Sequence, residues 1–94
     1  MRKHYTGEIG TQILIDTETD ISGASLLAIK FTKPDGTTTG EWISSLSGST
    51  AISYTLQNGD LDQQGVYKLQ AYVEDGSSKW WGETVELYVY DQFE

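Results

Sequence analysis

Apolar residues recur at every second position along almost the whole chain, and no window of a dozen residues carries the stripe of an amphipathic helix. That alternation commits the chain to strands with one face turned inward. Thr11 to Asp16 is the first clear strand, with Ile13 and Ile15 on one face. Leu27, Ile29 and Phe31 alternate in the next, and Thr38 to Ser44, carrying Trp42, returns after the hairpin signal Pro34-Asp35-Gly36. Leu46 to Thr50 reads as a polar loop. Ile52, Tyr54 and Leu56 alternate in a fifth strand that ends at Asn58-Gly59. Val66 to Glu74 then places Tyr67, Leu69, Ala71 and Val73 inward. After the turn Asp75-Gly76-Ser77-Ser78, Trp80 to Tyr90 returns with Val85, Leu87 and Val89 inward. A short strand near Tyr5 to Ile9 completes seven.

The run Asp62-Gln63-Gln64-Gly65-Val66-Tyr67 sharpens this reading. Asp and Gly make a turn, a Tyr ring closes the corner, and Leu69 and Ala71 follow inward. That order marks the start of a late strand in immunoglobulin-like sandwiches, where the Tyr hydroxyl bonds upstream backbone. Antibody domains carry a Cys two residues after that Tyr; here the position is Leu69. The expected architecture is therefore all-β, a seven-stranded immunoglobulin-like antiparallel β-sandwich, with residues 1–94 as a single domain.

Composition narrows the roles. The chain has no Cys, so neither a disulfide nor a thiolate site can form. A net charge of −8 opposes binding to nucleic-acid phosphates and to anionic membrane surfaces. Met1-Arg2-Lys3-His4 begins like the basic part of a signal peptide, but Tyr5-Thr6-Gly7-Glu8 follows where an apolar run is needed. No apolar stretch approaches the ~20 residues that cross a bilayer. The expectation is a protein made in the cytosol that stays soluble, without a signal peptide.

Candidates for chemistry are few. Asn58-Gly59-Asp60-Leu61-Asp62 resembles the opening of a calcium loop, yet Gln63 stands where such loops need Gly and Leu69 where they need Glu. Turn formation is the role expected there. Asp16, Glu18 and Asp20 read as a solvated acidic loop. His4 is the lone histidine, near a terminus expected to be mobile, and no second imidazole is present for a zinc site. None of the Ser residues sits in a recognisable nucleophile elbow, and a sandwich this small offers no deep cleft for paired carboxylates. The expectation is no catalytic, cofactor or metal residues, hence a non-enzymatic protein.

Aromatic residues carry the remaining signal. Tyr72, Tyr88 and Tyr90, with Thr84 and Glu86, alternate with core positions and should face outward on the last hairpin. Of Trp80 and Trp81 one should point in and the other out, with Gly82 able to form a bulge that decides which. Tyr and Trp favour strands in any case, but they also dominate interfaces. Tyr72, Trp80, Trp81, Tyr88 and Tyr90 are the candidate partner-binding residues.

The order Asp20-Ile21-Ser22-Gly23-Ala24, Lys33-Pro34-Asp35-Gly36, Gly59-Asp60-Leu61-Asp62, Gly65-Val66-Tyr67-Lys68-Leu69-Gln70-Ala71 and Trp80 to Thr84 resembles small immunoglobulin-like structural proteins of tailed bacteriophages. It is more loosely similar to the N-terminal immunoglobulin-like domain of phage upper baseplate proteins. The resemblance spans about Ile9 to Val89. It implies a virion or prophage structural part without catalytic residues, docking in multiple symmetric copies on tail, baseplate, neck or capsid proteins. An adhesion module that stacks Trp and Tyr on a cell-surface glycan is the alternative.

Overall fold

The alternating segments fold into nine strands among the residues described: β1 (His4–Tyr5), β2 (Gln12–Asp16), β3 (Leu26–Thr32), β4 (Thr39–Ile43), β5 (Ser45–Ser47), β6 (Ala51–Thr55), β7 (Gly65–Asp75), β8 (Ser78–Trp81) and β9 (Val85–Tyr90). The computed structural model describes residues 3–94; Met1 and Arg2, which open the basic start of the chain, lie outside the described residues. No helix forms among them. One sheet runs β1-β9-β7-β3-β4, with β8 also on β7; the other runs β2-β6-β5. Every pairing is antiparallel except β1 with β9. The expected all-β architecture in two sheets is what the chain adopts.

Two differences separate nine strands from the seven expected. The segment read as a polar loop begins with a strand: Ser45–Ser47 pairs with Ser53–Ala51, and Leu46 stands opposite Ile52. The expected single return strand from Trp80 to Tyr90 is split. β8 pairs Tyr72 with Trp81, whereas β9 pairs Leu69 with Val85, so the register slips by one residue between them. Glu83 and Thr84 together oppose Gln70, which is the count of a β-bulge. The Gly82 amide still donates to the Ala71 carbonyl (2.9 Å), and Gln70 Nε2 donates to the Gly82 carbonyl (3.0 Å), which holds the break.

That slip has a packing consequence. Side chains alternate along a strand, so an unbroken strand with Trp80 inward would turn Leu87 and Val89 outward. The extra residue resets the alternation. Trp80 stands opposite Val73 and packs against the core, and Leu87 opposite Tyr67 does the same. Val85 also faces that side, opposite Leu69, but it is 40% exposed rather than buried as expected.

Residues from both sheets meet in one core cluster: Ile13 and Ile52 from the smaller sheet, and Ile29, Trp42, Tyr67, Leu69, Ala71, Val73 and Val89 from the larger. Trp42 lies between Phe31 (ring centroids 4.9 Å apart) and Tyr54 (5.0 Å, nearly parallel), so a stack of three rings bridges the sheets. Burial and a hydrogen bond to Asp60 (2.7 Å) hold the Tyr54 phenol well above its ordinary pKa.

The corner forms as expected. Tyr67 is fully buried, and its hydroxyl accepts from the amides of Asp62 (3.1 Å) and Gln63 (3.2 Å). The β3–β4 hairpin docks on this corner. Lys33 Nζ donates to Asp62 Oδ1 (2.7 Å), and Gln63 exchanges hydrogen bonds with Asp35. Gly65 is required at the junction: its φ is 130°, and a Cβ there would come within 2.7 Å of the Pro34 Cβ.

Candidate interaction surface

The outer face of the larger sheet is built by the cross-strand register. Ala28 of β3 stands between Ile43 of β4 and Tyr72 of β7, and Tyr72 stands opposite Trp81 of β8. Four strands therefore contribute one apolar row: Ile43, Ala28, Tyr72, Trp81. Its ends are open, with Ile43 59% and Trp81 54% exposed. Its middle is covered: Ala28 is fully buried and Tyr72 is only 5% exposed.

Three neighbours cover and orient the Tyr72 ring. Trp81 packs on it at 5.0 Å between centroids, and Lys30 Nζ lies 4.5 Å above it as a cation–π partner. The hydroxyl donates to Glu74 Oε2 (2.7 Å), and that bond to an anion pushes the phenol pKa up to about 12. The ring is thus a fixed support beneath Trp81.

Charge is balanced on this face. Lys30 pairs with Glu41, Lys68 stands opposite Glu86, and Lys79 stands opposite Glu74. Three of the chain's 6 cationic side chains lie here against three acids, in a molecule whose net charge is −8. The surplus of negative charge therefore sits elsewhere. Beside the row, Lys30, Glu41, Lys68, Gln70 and Thr84 line a shallow polar concavity of about 540 Å³.

The candidate residues divide. Trp81 and Tyr72 come together on the outer face. Trp80 does not join them, because it packs against the core. Tyr88 is on the same side and 55% exposed, but it stands opposite Val66, six residues along β7 from Tyr72, a separation of roughly 20 Å. Its hydroxyl is engaged by Glu86 (3.2 Å), whose charge raises the phenol pKa. Tyr90 is half-buried beside Tyr5 (6.3 Å) and under Lys3 Nζ (4.7 Å). The expectation that Tyr72 is an outward contact residue is corrected: it faces outward but its neighbours seal it. Ile43 belongs to the row and Lys30 covers its Tyr72; neither was among the candidates, because no period in the sequence says which residues lie side by side on strands far apart in the chain.

The other candidates for chemistry are committed to structure. Asp60 Oδ2 accepts from the Gln57 amide (2.7 Å) as well as from Tyr54. Asp62 is held by Lys33, which lowers its carboxyl pKa. Asp16 accepts from the Glu18 amide (2.8 Å), and Asp20 takes both the amide and hydroxyl of Ser22. His4 is in β1 rather than in a mobile terminus, with Nδ1 3.5 Å from Glu8 Oε1. No group of three or more metal-ligating side chains occurs among the described residues.

No family model, curated protein or solved structure matches this chain.

Proposed function

We propose that this protein is a non-enzymatic docking module, an immunoglobulin-like sandwich that serves as a structural part of a tailed-phage virion or prophage particle. It attaches to a tail, baseplate, neck or capsid protein through the outer face of its larger sheet. The observation that carries this reading is the row Ile43, Ala28, Tyr72, Trp81. An aromatic held rigid by its neighbours, open at its outer edge and set in a charge-balanced surround, has the composition of an interface centre with a polar rim. Support for the immunoglobulin-like assignment comes from the sealed Tyr67 corner and from the order of strands, with β7 central between β3 and β9. The phage assignment rests on the motif resemblance and is an analogy of fold and order.

A second reading is favoured by the concavity beside the row. Lys30, Glu41, Lys68 and Gln70 offer hydrogen-bond donors and acceptors there, and Lys30 reaches over the Tyr72 ring on which Trp81 packs, a combination that suits a sugar ring.

The test uses Trp81→Ser combined with Ile43→Ser, since Tyr72 is packed and its removal would disturb the sheet itself. The double variant should fold with an unchanged strand spectrum and be missing from assembled particles. Normal incorporation would move the docking surface elsewhere. Binding of the wild-type protein to a defined glycan on an array, with no association with particles, would favour the adhesion reading.

A further inference from the structure

The two sheets are unequal, and the side where they differ is open. β2 borders the three-stranded sheet and, among the described residues, pairs only with β6. The Leu56 amide donates to the Thr11 carbonyl and the Thr17 amide to the Thr50 carbonyl, so in the antiparallel ladder the odd residues of this segment face β6. Gln12, Leu14 and Asp16 therefore point their N–H and C=O groups to the open edge.

The other described edges are guarded. β1 has two residues and β5 three, β4 carries Glu41 at its centre, β8 carries Lys79, and the part of β9 that β1 leaves unpaired carries Glu86. β2, with the sequence Gln-Ile-Leu-Ile-Asp, is five residues long and uncharged through its middle.

Next to this edge lies a groove of about 420 Å³ between β2 and β9, floored by Leu69, Val85 and Leu87. Val85 points toward the core side yet stays 40% exposed, across the groove from Ile13 and Ile15 of the smaller sheet. The groove is polarised. Lys3 and His4 line one end, near Gln12. At the other end it meets a second concavity of about 330 Å³, lined by Asp16, Glu18 and Glu83, and Ile15 and Val85 line both. Glu86 stands on the side wall, where it accepts from Tyr88.

We propose that this open side receives one extended segment of a partner polypeptide, added antiparallel to β2 over Val85 and Leu87. Its backbone pairs with Gln12, Leu14 and Asp16, and alternate apolar side chains fill the groove. The charge at the two ends sets its chemistry: a cationic N-terminal end beside Asp16, Glu18 and Glu83, and an anionic C-terminal end beside the Lys3 ammonium. The groove adjoins the outer face of the larger sheet at Glu86 and Tyr88, and Trp81 lines the second concavity, but the pairing edge of β2 belongs to the smaller sheet.

The probe is the capped heptapeptide Lys-Val-Thr-Val-Thr-Val-Glu, with Glu-Val-Thr-Val-Thr-Val-Lys as the charge-reversed control. Amide exchange at Leu14, read by NMR, should slow several-fold in millimolar probe and far less in the control. Val85→Glu, at a position already open to solvent, should abolish the effect while leaving the fold intact. If that variant fails to fold, Asp16→Lys, at the exposed end of β2 where the cationic end binds, takes its place and should likewise remove the slowing at Leu14. Unchanged Leu14 exchange would overturn the proposal. So would equal slowing by both peptides, or slowing that survives the variant.

Discussion

Tyr67 ties a ring, a turn and an ion pair into one unit. Its side chain is fully buried and its hydroxyl satisfies two amides of the preceding turn. Tyr67→Ala should therefore cost roughly 3–5 kcal/mol, a large share of a typical total of ~5–15 kcal/mol. Tyr67→Phe keeps the ring and strands the two amides, for a loss of about 1–3 kcal/mol. Urea denaturation of both variants checks the order; a Phe variant as damaged as the Ala variant would mean that the hydroxyl, not the ring, dominates. The pH response belongs to the same corner. The Lys33 ammonium lowers the pKa of Asp62, and hydrogen bonds from Thr38, Thr37 and Gln63 hold the Asp35 carboxyl far below its usual range. Both acids have folded pKa values depressed below the unfolded value of about 3.9, so their stabilisation is complete above that pH and is lost as pH falls through the folded values. Thermal midpoints should fall below about pH 4, and Lys33→Met should reduce the part of that fall due to Asp62. Melting curves from neutral pH to about pH 2 would show it. This corner was legible in the sequence, because Asp, Gly and Tyr act within six residues of one another.

At the scale of strands, the bulge at Glu83 and Thr84 is the feature on which the last hairpin depends. Gly76, with φ of 61°, starts the tight turn between β7 and β8 and aligns Trp80 with Val73. Without the extra residue, that register would carry Leu87 and Val89 to the solvent side. Deleting Thr84 should thus destabilise the fold far more than Thr84→Ser, which keeps the count and changes only an exposed side chain. Circular dichroism melts of the two variants test this, and a stable deletion variant would show that the register is not fixed by the bulge. Gly82 signalled a bulge in the sequence, but its effect did not emerge, since parity on both sides of the break depends on β7. The same limit hid β5: Leu46 is a single apolar residue among serines, and only Ile52 opposite it makes the pair a strand. Strands whose own alternation is strong, such as β3 and β7, were legible. Strands that exist because a partner offers its edge were not.

For the whole molecule, the distribution of charge and exposed aromatic surface matters more than the total. The net charge of −8 keeps most of the surface repulsive to other copies and to anionic partners. The outer face of the larger sheet escapes this, because three lysines and three glutamates cancel there around Trp81. The sequence showed that Trp and Tyr were abundant on the last hairpin. It did not reveal that Tyr72 is sealed, that Tyr88 lies far along the strand, or that Ile43 from a distant strand completes the row; those follow from register between β3, β4, β7 and β8. The most direct measurement is hydroxyl-radical footprinting of the protein free and attached to particles. Trp81 and Ile43 should lose most of their oxidation on attachment, while Trp42 and Trp80, which pack in or against the core, should change little. Equal oxidation of Trp81 in both states, with the protein demonstrably attached, would contradict docking through this face.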